Sequence, residues 1–382
     1  MLSLPEKDSC CGCAACMDAC AFGAIEMRCD DEGFMYPYTD AQKCVGCGSC
    51  VRSCPVLVPP EKNGAPKAFA AANLDDDMRR RSSSGGIFCL LAKSVLDSGG
   101  AVVGAAFDGD FSVRHILIER EEELPLLMGS KYVQSNTEGI YKETKEFLES
   151  GRRVLFSGVP CQTSALRSFL GKDHPGLLTV DILCHGAPSP LHWKKYLMRF
   201  SGGSRKIDSV SFRDKEHGWR RYSVAVHFSD GGTIKTPASE DVHMRAYLHD
   251  LISRPSCYSC RFRGESRPSD LTLADLWGAE KILGRPDDDM GASLVLVHSA
   301  KGMEAVEAIR GNIRIEPVDI NKALSFNASA LRSPEMPAER AAYMAGLKDG
   351  DPSQLVKKYC RGNPLERIKK AVKSLFADRS RT

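Results

Sequence analysis

The sequence predicts an α+β / α/β protein in two parts, a small cysteine-rich N-terminal module and a larger α/β body behind it. Two observations carry that prediction. Ten of the sixteen cysteines fall in the first 54 residues, in a spacing that occurs twice. From Ala68 onward the pattern changes to short apolar runs of strand character alternating with amphipathic helical stretches, the alternation that builds α/β folds. The chain has room for both parts: its 382 residues suggest two or three domains at about 150 residues each.

The module comes first. Cys10, Cys13, Cys16 and Cys20 give C-x2-C-x2-C-x3-C, and Cys44, Cys47, Cys50 and Cys54 repeat it ahead of Pro55. This is the bacterial-ferredoxin run, in which the fourth cysteine of each run ligates the other of two 4Fe-4S clusters. Three thiolates two residues apart wrap one cubane only if the backbone between them is tight, and Gly12, Ala14, Ala15, Gly46 and Gly48 supply the small residues. Cys10, Cys13, Cys16 and Cys54 are therefore expected to hold one cluster, and Cys44, Cys47, Cys50 and Cys20 the other. A zinc site shows separated C-x2-C pairs that sum to four ligands, not two runs of four. Ala21 stands where Pro often closes the first run, a position that shapes a turn and ligates nothing. Cys11, inside the run but out of its register, reads as a bystander, as do Cys29, Cys89 and Cys360. The module is assigned to residues 1–57.

Pro55, Pro59, Pro60, Gly64 and Pro66 mark a linker. Ser82 to Gly86 then precede the apolar stretch Ile87 to Val95, a capped helix start. Gly99-Gly100 ends it, and Ala101 to Phe107 reads as a strand. Tyr141 to Glu149 is helical, and the runs Arg153 to Phe156 and Leu177 to Leu183 are strands. Leu191 to Phe200 reads as a helix, Tyr222 to Phe228 as a strand entering the turn Ser229 to Gly232, Leu294 to His298 as a buried strand, and Gly302 to Ile309 as a helix. Cys161 and Cys184 each follow a strand, at the edge where α/β sheets place ligand sites. With the pair Cys257-x2-Cys260 they make four thiols able to hold a third cluster; as residues alone they serve equally as small buried apolar side chains.

Composition excludes several functions. Lys plus Arg number 52 against 49 Asp plus Glu, a net charge of +3 that lacks the basic excess of a dedicated nucleic-acid binder. No apolar run approaches the roughly 18 residues of a membrane-spanning helix. The first residues show neither a basic stretch nor an apolar one, so the expectation is a cytoplasmic protein whose many cysteines serve metal or redox chemistry rather than disulfides. Residues 365 to 376 form an amphipathic basic segment, expected to dock on the protein's own body rather than on a membrane.

Several strings then coincide with one family. They are Ser83-Ser84-Gly85-Gly86, Gly129-Ser130-Lys131-Tyr132-Val133-Gln134-Ser135, Gly158-Val159-Pro160-Cys161-Gln162, Cys184-His185-Gly186-Ala187-Pro188-Ser189, Phe212-Arg213-Asp214-Lys215, Cys257-Tyr258-Ser259-Cys260 and Ser269-Asp270-Leu271-Thr272-Leu273-Ala274-Asp275-Leu276-Trp277-Gly278. In that order, from about residue 1 to about residue 320, the chain resembles the beta subunit of coenzyme F420 hydrogenase and dehydrogenase with an N-terminal ferredoxin domain. The resemblance implies an α/β flavin- and iron–sulfur-binding catalytic body, with residues 66–145 and 146–320 as the two parts of one region and 321–382 as a basic tail. It also implies a third 4Fe-4S cluster on Cys161, Cys184, Cys257 and Cys260, and FAD near Ser84, Gly85, Gly86, Ser130, Tyr132, Ser135 and Gly158. Helix N-termini hold phosphate, which agrees with the Ser84–Gly86 position. No GxGxxG is present, so a nicotinamide site is not supported. Ala274 departs from the glycine that often precedes this aspartate in the family.

The activity expected is an oxidoreductase that passes electrons between a ferredoxin-type partner and an organic substrate or deazaflavin-type coenzyme, in either direction. A redox partner protein, or a hydrogenase- or dehydrogenase-type subunit, is the expected protein partner, and an anaerobic, oxygen-sensitive setting is expected too. The alternative is an adaptor that carries clusters without a flavin. Proton donors are sought at His185, His217 and Asp275, with His185 favoured because it adjoins a cluster ligand. A histidine there can instead tune a potential through its hydrogen bonds. Arg213, Lys215, Arg220 and Arg221 read as a basic face for an anionic substrate or partner.

Overall fold

The computed structural model describes residues 3–200, 205–360 and 362. The basic segment at 365–376 lies outside the described residues. In chain order the strands are β1 (Ile25–Cys29), β2 (Met35–Thr39), β3 (Lys67–Asn73), β4 (Ala101–Phe107), β5 (Val113–Ile118), β6 (Val154–Gly158) and β7 (Leu177–Ile182). They continue with β8 (Ile207–Asp214), β9 (Ser223–Phe228), β10 (Thr233–Pro237), β11 (Leu271–Asp275), β12 (Ser293–Val297) and β13 (Ile313–Pro317). Among the described residues no helix is long and apolar enough to cross a membrane.

The module is an antiparallel hairpin, β1 with β2, between the two short helices Ala15–Asp18 and Ser49–Arg52 that follow the cysteine loops. The body is built on an eight-stranded mixed sheet in the order β13-β3-β12-β11-β7-β6-β4-β5. Its centre, β11-β7-β6-β4, is parallel, and antiparallel strands extend it on both sides. That division follows from composition. β4, β6, β7 and β12 are apolar nearly throughout and buried on both faces, whereas the edge strands β5 and β13 alternate and keep Arg114 and Arg314 exposed.

Helices cover both faces. On one, Ile87–Asp97 packs Ile87, Leu91 and Val95 onto Val102, Leu155 and Val180. On the other, Ile140–Glu149 and Pro160–Leu170 bury Ile140, Tyr141, Leu148 and Leu166 against Val103 and Phe156. Each such side chain contributes about 1.5–3 kcal/mol on leaving water. A second core, around Trp193, Phe212, Met244 and Tyr343, lies under the three-stranded sheet β10-β9-β8.

Most expected elements appear within two residues of their expected ends. The helix Ile87–Asp97 begins at the expected residue, but its cap differs: Ser82 closes the preceding helix Asp76–Arg81 with its hydroxyl on the Met78 carbonyl, and Gly86 at φ 81° precedes Ile87. A left-handed turn there needs glycine, so the double glycine rather than the serines sets the boundary.

Module and body are joined along a dense seam. Asp18 of the module accepts the amides of Gly139 (2.8 Å) and Tyr141 (3.2 Å), capping a helix of the body. Thr137 donates to the Cys13 carbonyl at 2.9 Å, and Cys13 and Ala15 belong to the same apolar cluster as Ile140 and Phe156. Arg340 holds the Glu32 carboxylate with both nitrogens at 3.0 and 2.5 Å and also donates to the Ser253 carbonyl. Asn63, in the linker, donates to the carbonyls of Arg267 and Ser269. Removing one partner of a buried bidentate pair strands the other, so Arg340→Ala is expected to lower the unfolding free energy by about 3 kcal/mol, read by denaturant unfolding under nitrogen. A change under 0.5 kcal/mol would show that the pair does not fasten the seam.

Candidate functional site

The module's eight run cysteines separate around two cavities. Cys20, Cys44, Cys47 and Cys50 line one, with Phe22 and Val45. Cys10, Cys13, Cys16 and Cys54 line the other. These are the two crossed sets that the spacing predicts. The loops are shaped for it: Gly12, Gly46 and Gly48 take φ of 67°, 72° and 76°, and Ala14 also adopts φ 58°. Backbone N–H groups point at sulfur, from Gly12 to Cys10 Sγ at 3.4 Å and from Ala24 to Cys20 Sγ at 3.3 Å. Burial drives the Cys10 thiol up to about 11 and raises that of Cys16 further still. Thiols so placed gain from metal coordination, which stabilises a thiolate that water cannot reach. Among the described residues no three such groups meet at a single-ion distance. The sulfurs ring a space, as soft ligands around an iron–sulfur cluster do.

The two cavities differ in depth. Cys10, Cys13, Cys16 and Cys54 are buried, while Cys47 is exposed. Phe22 and Val45 beside it are exposed by 52% and 61%. The first cavity therefore faces solvent through an apolar rim, and the second is lined by buried cysteines.

In the body, Cys161 and Cys184 follow the carboxyl ends of the adjacent parallel strands β6 and β7, and Pro160 starts the helix that carries Cys161. A short 3-10 turn, Pro255–Ser259, brings up Cys257 and Cys260. Neighbouring thiols of this set act on Cys161, Cys184 and Cys257. Burial and the neighbouring Cys257 hold Cys184 up at about 12, and burial lifts Cys257 to about 11. Cys161 is raised by its contact with Cys11, by burial, and by Cys184 and Cys260. The Ala187 amide donates to Cys257 Sγ at 3.3 Å.

Sequence reasoning passed over Cys11. Its thiol lies beside those of both Cys13 and Cys161, so a single side chain stands between the inner module site and the body site. Nothing in a linear spacing could reveal a contact across 150 residues.

Beyond the body cysteines lies a polar and aromatic cluster of side chains at the end of β11. Asp275 binds Arg213 at 2.9 and 3.4 Å and accepts Trp219 Nε1 at 3.1 Å. Arg213 donates to the Tyr132 hydroxyl at 3.2 Å, and its Nε is buried with no partner among the described residues. Burial works against the Arg213 charge, but Asp275 and the phenols of Tyr132 and Tyr222 more than restore it. Trp219 and the half-exposed Trp277 stack at 4.6 Å between ring centroids, 7° from parallel. Tyr132 meets Tyr247 at 5.4 Å, and the Tyr247 hydroxyl donates to the Gly186 carbonyl beside Cys184.

The segments expected to bind flavin only partly converge. Ser83 Oγ accepts the Ser130 amide at 2.7 Å, Lys215 Nζ donates to the carbonyls of Ser84, Arg79 and Met290, and the Tyr132 hydroxyl accepts from Arg213. Burial lowers Lys215 and Lys131 to about 7 each. Gly85 is already engaged: its amide donates to Ser293 Oγ, and a Cβ there would lie 2.6 Å from the Ala71 carbonyl. Ser135 and Gly158 lie apart from that group and close to each other through buried His115, whose ring bonds Ser135 Oγ and the Ser157 carbonyl.

His185 is held by Asp250 (Nε2 to Oδ1, 2.6 Å) and Ser329 (Nδ1 to Oγ, 2.9 Å). His217 is exposed. The basic face expected from the sequence divides, with Arg213 buried, Lys215 partly buried and Arg220 and Arg221 exposed. Arg213 and Lys215 are bound as above, Arg220 pairs with Asp289 and Glu280, and Arg221 is exposed.

Residues 151–323 match the family described as the C terminus of the coenzyme F420 hydrogenase/dehydrogenase beta chain. Residues 9–58 match a 4Fe-4S dicluster domain, and residues 36–88 match a second family of that description. Among solved structures, a chain of the F420-reducing [NiFe] hydrogenase complex from Methanosarcina barkeri is similar at 18% identity, with a TM-score of 0.47, over 78% of this chain and 92% of that one. No curated protein matches the chain at a significant level.

Asp275 is the acidic partner of a fully buried arginine. Asp275→Ala is therefore expected to cost about 3–5 kcal/mol of stability, measured by denaturant unfolding, because Arg213 would be left buried and uncompensated. A loss below about 1 kcal/mol would show that Arg213 needs no counter-charge there.

Proposed function

Starting from an iron–sulfur electron-transfer protein that carries the C-terminal region of the coenzyme F420 hydrogenase/dehydrogenase beta subunits behind a 4Fe-4S dicluster domain, we propose a flavin-dependent oxidoreductase. It joins a one-electron partner protein at the module to a small organic substrate at the body. The observation that carries this reading is the placement of four body thiols at the carboxyl edge of the sheet, one cysteine away from the inner module site and one tyrosine away from the Arg213 side-chain group.

Cys161, Cys184, Cys257 and Cys260 would hold a third 4Fe-4S cluster, with the Ala187 amide on one sulfur. FAD would be held by Ser84, Gly86, Ser130, Tyr132, the Trp219–Trp277 pair and the unpartnered Arg213 Nε, which fits an acceptor atom of a cofactor. When bound, the clusters carry single electrons and the flavin joins them to two-electron chemistry. The rest is the chain's own work. The apolar rim of Phe22 and Val45 around exposed Cys47 receives the redox partner. Asp275 holds Arg213 in place; its carboxylate is committed to that ion pair, which leaves the proton-donor role to His185. Asp250 orients that imidazole.

A second reading, an adaptor with clusters and no flavin, is favoured by one observation. The amide of Gly85 and the ammonium of Lys215 are already bonded within the protein. Bound flavin separates the two.

Purified without oxygen, the protein is expected to contain about twelve iron and one flavin per chain, and Cys257→Ala about eight iron. About eight iron in the unmodified protein would remove the third cluster, and absence of flavin with about twelve iron would select the adaptor.

A further inference from the structure

Arg254 is completely buried and makes no ion pair among the described residues. Its guanidinium is divided among neutral groups: Nε donates to the Cys10 carbonyl at 2.7 Å, one terminal nitrogen to Gln134 Oε1 at 3.2 Å, and the other to the Met35 carbonyl at 3.0 Å. Tyr36 lies 4.0 Å beneath it, ring centroid to guanidinium carbon. The same residue's backbone continues into the body site, since its carbonyl accepts the Cys257 amide at 2.9 Å and its own amide donates to Ala187 at 2.9 Å. Gly12 leaves it room, for a Cβ there would stand 2.5 Å from Arg254 Nη1.

A buried cation without a carboxylate is costly unless another negative charge answers it. Here the residues on either side of it are expected cluster ligands: Cys10 accepts Arg254 Nε at its carbonyl, and the Cys257 amide donates to the Arg254 carbonyl, so the charge sits between the two sides of the seam. A cluster with four thiolates carries net negative charge and gains one more unit on reduction, so a fixed cation beside it raises its potential.

We propose that Arg254 is the positioning residue that sets the reduction potentials across the seam, as the counter-charge shared by the inner module site and the body site. The proposal rests on the cluster assignment above. The step it governs moves one electron from one site to the other, in either direction, with no proton transferred and no bond made or broken.

The test is an EPR-monitored redox titration of the full-length, anaerobically purified protein alongside Arg254→Gln and Arg254→Lys, with iron counted in each. In Arg254→Gln at least one cluster midpoint is expected to fall by the equivalent of tenfold or more in its equilibrium constant, about 59 mV for one electron. The exposed cluster at Cys47 should not move. In Arg254→Lys, which keeps the charge but not the fork of hydrogen bonds, the midpoints should stay within threefold of the unmodified protein. The proposal is overturned if no midpoint moves in Arg254→Gln, if Arg254→Lys shifts as far as Arg254→Gln, or if both variants lose iron, as a residue needed only for assembly would cause. The cluster assignment fails separately, by about eight iron in the unmodified protein, and the inner module cluster would still report on Arg254.

Discussion

The arrangement of this protein depends on one close approach, the packing of the Cys10–Cys16 loop against the body. At Gly12 the backbone is left-handed and there is no space for a side chain, because Arg254 and Gln134 occupy it. Around that point Gln134 donates to the Cys11 carbonyl, Thr137 to the Cys13 carbonyl, and Asp18 accepts two amides at the start of a body helix. Each is a modest interaction in water. Buried together and mutually satisfied, they fix the module's inner face at one distance from the sheet. Loosening the seam would separate the sites even with every ligand intact.

The second constraint is topological. Parallel strands buried on both faces deliver their loops to one edge, and β6, β7 and β11 end side by side there. Cys161, Cys184 and Asp275 arrive at that edge from three separate stretches of sequence. A sheet with its chemistry at its loops keeps the core free for packing, which is why the strands can be almost wholly apolar while the site beyond them is crowded with charge.

What the sequence made legible was local. The crossed grouping of the module cysteines follows from spacing, and the positions of Cys161 and Cys184 follow from the apolar runs before them. What it hid was long-range. Arg254 looks like any surface arginine until the fold buries it against Cys10, and Cys11 looks like a spare thiol until Cys161 meets it. The pairing of the basic residues Arg213 and Arg220 is long-range for the same reason. Their acidic partners, Asp275, Glu280 and Asp289, lie some 60 residues downstream and are invisible to a reading by proximity. Asp275 is named from the sequence as a candidate proton donor, and its partner Arg213, 62 residues upstream, is what a linear reading does not show.

The central claim is that the seam sets a body cluster against the inner module cluster. Spin–spin interaction reports that proximity directly, by EPR of the fully reduced, full-length protein compared with Cys161→Ala. The account predicts a broadened, mutually coupled spectrum in the unmodified protein that simplifies to the two-cluster pattern of the module alone when Cys161 is replaced. A spectrum that is the same in both proteins would contradict it.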